Sequence, residues 1–300
     1  MISGKTIEIT LKVFAFIIGA IFGSFGNVLI FRLPRGMSIV KPPSHCPVCN
    51  NRIAWYDNIP ILSYLFLGGK CRHCHTPISI RYPVVELLAA VLSVVAFVHA
   101  KAGYWPLLSQ ETAILWLLEF AFFFALLIIT FVDFEHMEVP YLPVLIGTLA
   151  GIGLNLAFGP YLHTSWLDSA IGIAAGAVPA LLVVLTYRYA FKREGMGMGD
   201  VLILGMIGAF VGYKAMPLIY FLSSLQGLAA ALIYYLAGGR TTYPTDDLDD
   251  NERQKYKEDK EAHPIRMMAV PFGPFLALSA LEWVMFREYF VKMINIVFGL

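Results

Sequence analysis

Charge is scarce in this chain. Asp, Glu, Lys and Arg together supply 14% of its 300 residues, where ordinary globular domains carry roughly a quarter. A surface built on so few charges does not suit a water-soluble fold. The balance is as thin as the total, because a net charge of +1 leaves no global field to draw in nucleic acid or acidic substrates. No cleavable secretory leader is expected either. The apolar stretch from Ile9 to Leu33 outruns a signal core of roughly 7–15 residues, and no small-residue cleavage site follows it. It reads as a first spanning helix that is retained. Internal repeats of useful strength and a glycine-rich cofactor loop of the soluble type are absent as well.

What the chain does have is apolar length. Ala, Val, Ile, Leu, Met, Phe, Trp, Tyr and Cys make up 58%, and runs of about 18 or more apolar residues, enough to span a bilayer core, recur along most of it. The expected fold is an all-α polytopic membrane protein of about eight transmembrane helices. They lie near residues 9–32, 83–100, 112–132, 139–158, 167–190, 200–213, 215–237 and 268–286. The tail from Phe286 is amphipathic and suits the interface. Lys and Arg favour cytoplasmic loops. Placing loop 32–83 inside leaves only Lys5, Lys12, Lys101, Lys214, Arg287 and Lys292 of the 22 basic residues outside. Both termini are then expected outside the cytoplasm. The mixed-charge segment 240–266 reads as a solvated cytoplasmic loop.

The four cysteines all fall in loop 33–82. Cys46 and Cys49 form one CxxC knuckle, and Cys71 and Cys74 form a second after 21 intervening residues. This is the spacing of a closed, structural Cys₄ zinc site, in which each tight turn supplies two thiolates to a tetrahedron. Four thiolates favour zinc over other metals, and metal binding would supply folding energy that the loop otherwise lacks. Disulfides are the competing reading, disfavoured in a reducing cytoplasm, and a redox CxxC lacks its βαβ setting. His45, His73 and His75 flank the knuckles and read as neighbours or surface residues.

Few acids lie in the apolar spans. Asp133 ends the third span and Asp200 begins the sixth, so the topology brings both to cytoplasmic helix ends at comparable depth. Two carboxylates at one depth are the raw material of an aspartyl protease dyad, one ionised and one protonated. Gly195, Gly197 and Gly199 precede Asp200 and permit close backbone approach. Asp200 reads equally well as the N-cap of a helix starting at Val201. Glu135 and Glu138 read as solvated, and Glu86, Glu119, Asp168 and Glu282 as acids paired with neighbouring helices or snorkelling.

Together these segments resemble the type IV prepilin peptidases, membrane aspartyl proteases with a GxGD motif. The family-like stretches are "GSFGNVLIFRLPRG" from Gly23, "PPSHCPVC" from Pro42, "DNIPILSYL" from Asp57 and "GGKCRHCHTPISIRYPVVELL" from Gly68. "GMGMGD" from Gly195 and "PFGPFLAL" from Pro271 follow in the same order. The resemblance implies Asp133 and Asp200 as the catalytic pair, Gly197 and Gly199 as the active-site loop, and Cys46, Cys49, Cys71 and Cys74 as zinc ligands. It implies cleavage of basic leaders after a glycine, from prepilins and type II secretion pseudopilins, at the cytoplasmic face of a bacterial inner membrane. N-methylation of the new terminus with S-adenosylmethionine follows in many members. The implied organisation is a first helix (1–32), a methylation-associated zinc loop (33–82) and a protease domain (83–300) that includes the charged loop 238–267. A peptidase without methylation, or an ion-coupled transporter using the two aspartates at broken helices, are the alternatives. One departure is that Pro140 is followed by Tyr141, where the family often has Asp or Asn.

Overall fold

The computed structural model describes residues 4–102, 109–162, 165–192, 196–236 and 271–298. Glu194, Gly195 and the charged loop 240–266 lie outside them. Among the described residues the regular structure is helical: α1 (Gly4–Arg32), a short α2 (Leu62–Phe66), α3 (Arg81–Ala102), α4 (Gln110–His136), α5 (Tyr141–Leu162), α6 (Trp166–Ala190), α7 (Met198–Val211), α8 (Met216–Leu236) and α9 (Gly273–Phe298). Isolated bridges join His45 to Arg52 and Lys70 to Pro77, without strands.

Among the described residues, six helices are long and apolar enough to cross a membrane, carried by α1, α3, α4, α5, α6 and α8. The other two expected spans differ. Helix α7 has 14 residues, or about 21 Å at 1.5 Å per residue, short of a hydrocarbon core of roughly 30 Å. Gly212 ends it with φ +79°, a conformation glycine adopts without penalty, and a 3₁₀ turn at Tyr213–Ala215 leads into α8. Helix α9 bends at Phe286, where φ is −120°. The bend falls where the apolar run gives way to Arg287, Glu288 and Lys292.

Local chemistry sets the helix ends. Ser109 caps α4 by accepting the Thr112 N–H at 3.1 Å, and Ser165 with Asp168 closes a capping box on α6. Helix α5 starts at Tyr141, directly after Pro140.

Helix α4 runs through the centre, with Phe122, Phe123, Leu126, Ile128 and Ile129 buried. The Phe122 ring stacks on Phe210 of α7 at 3.8 Å. Helix α1 packs on α3, and α6 packs on α7. At that second interface Gly172 and Gly208 meet backbone to backbone, where an added Cβ would strike the opposite carbonyl. Small residues let membrane helices approach this closely, and packing rather than water exclusion drives the association. Buried polar groups add ties. Asn155 of α5 donates to Ser169 of α6 at 2.8 Å and to the Ala209 carbonyl of α7 at 3.2 Å. Ser93 donates to the Ala15 carbonyl at 2.8 Å. The scattered acids have partners too. Glu119 meets His99 at 2.7 Å, Glu282 accepts from Gln226 at 2.8 Å, and Glu86 accepts the Ile61 N–H at 2.6 Å.

Candidate active site and metal centre

Three helix ends converge on Asp133. It lies in the last turn of α4 and is 6% exposed. Its backbone carbonyl accepts the N–H of Met137, which stops the helix in a left-handed conformation at φ +52°. Its carboxylate accepts the N–H of Gly273, the first residue of α9, at 2.8 Å. A helix N-terminus has free N–H groups and a positive dipole end, so a carboxylate is stabilised there.

Asp200 sits in the first turn of α7, partly buried. The helix begins at Met198 with Gly197 as N-cap, and that cap makes no side-chain hydrogen bond. Asp200 is therefore not the N-cap of a helix starting at Val201. It is the third helical residue, and its carboxylate faces the Gly197 backbone and lies within electrostatic range of Asp133. The two aspartates expected to pair are thus brought to one end of the bundle from sequence positions 67 apart. The glycine loop is part of the fit. A Cβ on Gly199 would collide with Val139, in the turn between α4 and α5, so only glycine lets α7 sit this close behind Asp133.

The surroundings of Asp133 change one expectation. Glu135, expected to be merely solvated, accepts at both carboxylate oxygens from one guanidinium nitrogen of Arg81 in α3, Nη1, at 2.8 and 2.6 Å. Arg35 approaches His136 at 3.5 Å. These links place the end of α1 and the start of α3, which flank the cysteine loop, on the same end of the bundle as Asp133. Glu138 is exposed. Sequence reasoning gave no role to Gly273 or Arg81. The Gly-Pro step at 273–274 was the available signal for a helix start, but its partner 140 residues away was not legible.

The cysteine loop is built from two turns of the same shape. In the first, Cys46 N–H donates to Asn51 and Asn50 N–H donates back to the Cys46 carbonyl. In the second, Cys71 pairs with Thr76, and His75 donates back to Cys71. Asn50 (φ +56°) and His75 (φ +57°) occupy equivalent left-handed positions, so His75 is a turn residue. His45, His73 and His75 are exposed. Cys46 Sγ lies 3.7 Å from Cys74 Sγ, and Cys49 Sγ 4.0 Å from Cys71 Sγ. All four sulfurs lie within 4.8 Å of one another. A disulfide needs about 2.05 Å, which rules out that reading for this arrangement. Tetrahedral zinc with 2.3 Å bonds sets its sulfurs about 3.8 Å apart, so the four thiols fit such an ion. The thiols differ: two are drawn toward thiolate, while burial and the neighbouring cysteines push Cys49 up to about 11. Backbone N–H groups of Cys49 and Val48 pull Cys46 below the usual thiol value, and the Thr76 hydroxyl pulls Cys74 down to about 6.

The loop is braced as a unit. Arg72, inside the second knuckle, grips Asp57 at 2.7 and 2.5 Å and lies over the Tyr56 ring. Arg32 donates to the carbonyls of Ser38 and Pro42 at 2.8 and 2.7 Å. Glu86 holds the loop to α3 through Ile61, a β-branched residue at φ +64°. This is a costly conformation that the surroundings must enforce.

Comparison with known proteins places these features. Residues 17–100 match the Bacterial Peptidase A24 N-terminal domain, and residues 120–232 match the Type IV leader peptidase family. Among similar proteins, a prepilin leader peptidase/N-methyltransferase of Myxococcus xanthus is 30% identical, covering 94% of this chain and 92% of its own length. The protein of the same name from Aeromonas hydrophila is 33% identical over 89% of each chain. That from Neisseria gonorrhoeae is 36% identical over 75% of this chain and 83% of its own. No solved structure matches. Matched in both halves and by relatives along nearly its whole length, this multi-pass chain belongs to the type IV leader peptidase family.

Proposed function

We propose that this protein is a membrane aspartic endopeptidase that removes the leader from prepilins and pseudopilins after a glycine, and then N-methylates the new terminus. The observation that carries the peptidase reading is the convergence of Asp133 and Asp200 beside the Gly197–Gly199 loop at one end of the bundle. In the proposed step, one carboxylate takes a proton from water as the water oxygen bonds to the scissile carbonyl carbon. The other carboxyl, protonated because two adjacent like charges are costly, donates to the carbonyl oxygen. Collapse of the tetrahedral intermediate breaks the C–N bond, and the departing amine takes a proton from the pair. Gly197, the exposed N-cap of α7, lies against the Asp200 carboxylate and leaves an unwound peptide room to approach, while Gly199 is packed inside the first turn of the helix. The positive-inside bias supports a cytoplasmic active site in a bacterial inner membrane, where a basic leader would be left after its apolar helix has inserted.

We assign zinc to Cys46, Cys49, Cys71 and Cys74 as a structural ion that holds loop 33–82 in shape. The methylation reading rests on the relatives' names. S-adenosylmethionine would supply the methyl group to the neutral amine. Asp57, two residues from the exposed Trp55, is committed to Arg72, so this part of the loop does not present a free carboxylate for a ribose. No residue is assigned to that donor. A domain division into 1–32, 33–82 and 83–300 follows from these roles. A transporter reading gains nothing from the four-thiol loop and is not favoured. Mass spectrometry of a model prepilin co-expressed with the wild type, Asp133→Asn and Asp200→Asn tests the proposal. Leader loss with the wild type alone is expected, and cleavage surviving either substitution overturns the dyad.

A further inference from the structure

A cleft of about 650 Å³ lies between α6 and α8, with Pro179, Ala180, Tyr220 and Ser224 on its walls. Its lining also includes Met196, next to the Gly197–Asp200 turn, and Phe272, next to the Gly273 that holds Asp133. The cleft is therefore continuous with the catalytic end of the bundle. Across it the Tyr220 hydroxyl donates to the Gly176 carbonyl. That carbonyl lies beside the one on Ala175, whose helical partner Pro179 cannot supply. The tie joins α6 and α8 while leaving their facing surfaces apart.

We infer that this cleft seats the substrate's own membrane helix, the apolar segment directly following the scissile bond. The inference rests on the peptidase reading above and adds where the substrate docks. Three features argue for a helix. A helix of about 11 Å diameter and 5.4 Å pitch occupies roughly 500 Å³ per turn, so the cleft takes one flank of a helix over two or three turns rather than a whole one. Ala175, Ala180 and Ser224 line it, and small residues are what allow close helix approach in lipid. The neighbouring Val183 and Phe221 are 45% and 63% exposed, so in a membrane a helix can enter sideways without crossing a polar barrier. A helix seated here, with its amino end toward Met196 and Phe272, delivers the peptide bond just beyond that end to Asp133 and Asp200.

Purified full-length enzyme in phospholipid vesicles tests this with two substrates. One is an intact prepilin, and the other a soluble peptide that ends a few residues after the cleavage site. A benzophenone amino acid at position 224 should cross-link the intact prepilin within its apolar segment. The same probe at position 149, on the exposed face of α5, should not. Val183→Trp and Ser224→Trp, at exposed positions on the cleft wall, should raise KM for the prepilin at least about tenfold while leaving cleavage of the short peptide near the wild-type rate. Adducts with phospholipid only, an unchanged KM, or equal losses on both substrates would overturn the inference. A wild-type enzyme that cleaves prepilin without an adduct at 224 refutes the docking alone. One that cleaves neither substrate refutes the function on which the docking rests.

Discussion

Replacing Glu135 with Gln should weaken the positioning of Asp133 through a single lost ion pair. Glu135 lies two residues beyond Asp133 on the last turn of α4 and accepts from Arg81 Nη1 at 2.8 and 2.6 Å, with His136 Nε2 farther off at 4.0 Å. The side chains are 30% and 17% exposed, so the pair is neither a fully solvated surface bridge nor a buried one. Exposed pairs contribute about 0.2–1 kcal/mol, and hydrogen bonds to charged partners about 1.5–3 kcal/mol. About 1 kcal/mol is the expectation for this intermediate case. If that free energy is expressed at the active site, kcat/KM for leader removal falls about fivefold in Glu135→Gln. Arg81→Ala should do the same, because the pair acts as one unit. The reversed pair, Arg81→Glu with Glu135→Arg, should recover part of the loss, whereas either reversal alone should fall below the alanine variant. Single-turnover cleavage of a purified prepilin at low and high salt provides the assay. Losses from Arg81→Ala and Glu135→Gln that add fully in the double variant would refute the coupling.

Other consequences concern the glycines and the metal loop. Gly273→Ala puts a Cβ 2.7 Å from Asp133 Oδ2, so leader cleavage should drop about tenfold or more, with melting temperature as the control for global folding. Gly199→Ala should be similarly damaging, and Val139→Gly should partly restore it by removing the side chain that the new methyl would strike. Cys46→Ser should lose bound zinc by elemental analysis and lose N-methylation, while cleavage persists. Loss of cleavage to the same degree would refute the separation of roles. At the Asp57 carboxylate, the Arg72 hydrogen bond holds the native group below its ordinary value of 3.8. A depressed carboxylate contributes stability above its unfolded value and loses it as pH falls through the native one. The stability advantage of wild type over Asp57→Asn should therefore be constant above about pH 4 and shrink below it, as read by loop melting with thiol protonation common to both proteins.

Much was legible from residues alone because the chemistry involved is local or compositional. Apolar runs fix which segments can enter a bilayer, since a span needs only length and the absence of charge. Two CxxC turns present thiolates whatever the rest of the chain does, and the sulfurs lie where a tetrahedral ion requires them. Asp133 and Asp200 stood out as carboxylates at the ends of apolar helices, but spacing could not separate a helix cap from a catalytic group. The fold removes only the cap reading, because α7 begins three residues earlier than a cap at the aspartate would place it. Gly199, inside that early first turn, packs against Val139. The shortness of α7 and the bend in α9 were likewise hidden, because helix ends there follow from packing and a reversed glycine rather than from hydropathy. The Gly273 donor, the Arg81–Glu135 link and the cleft between α6 and α8 arise from residues 140, 54 and 44 positions apart. No local pattern encodes such pairs, so sequence settled which groups were available and tertiary packing alone decided which of them meet.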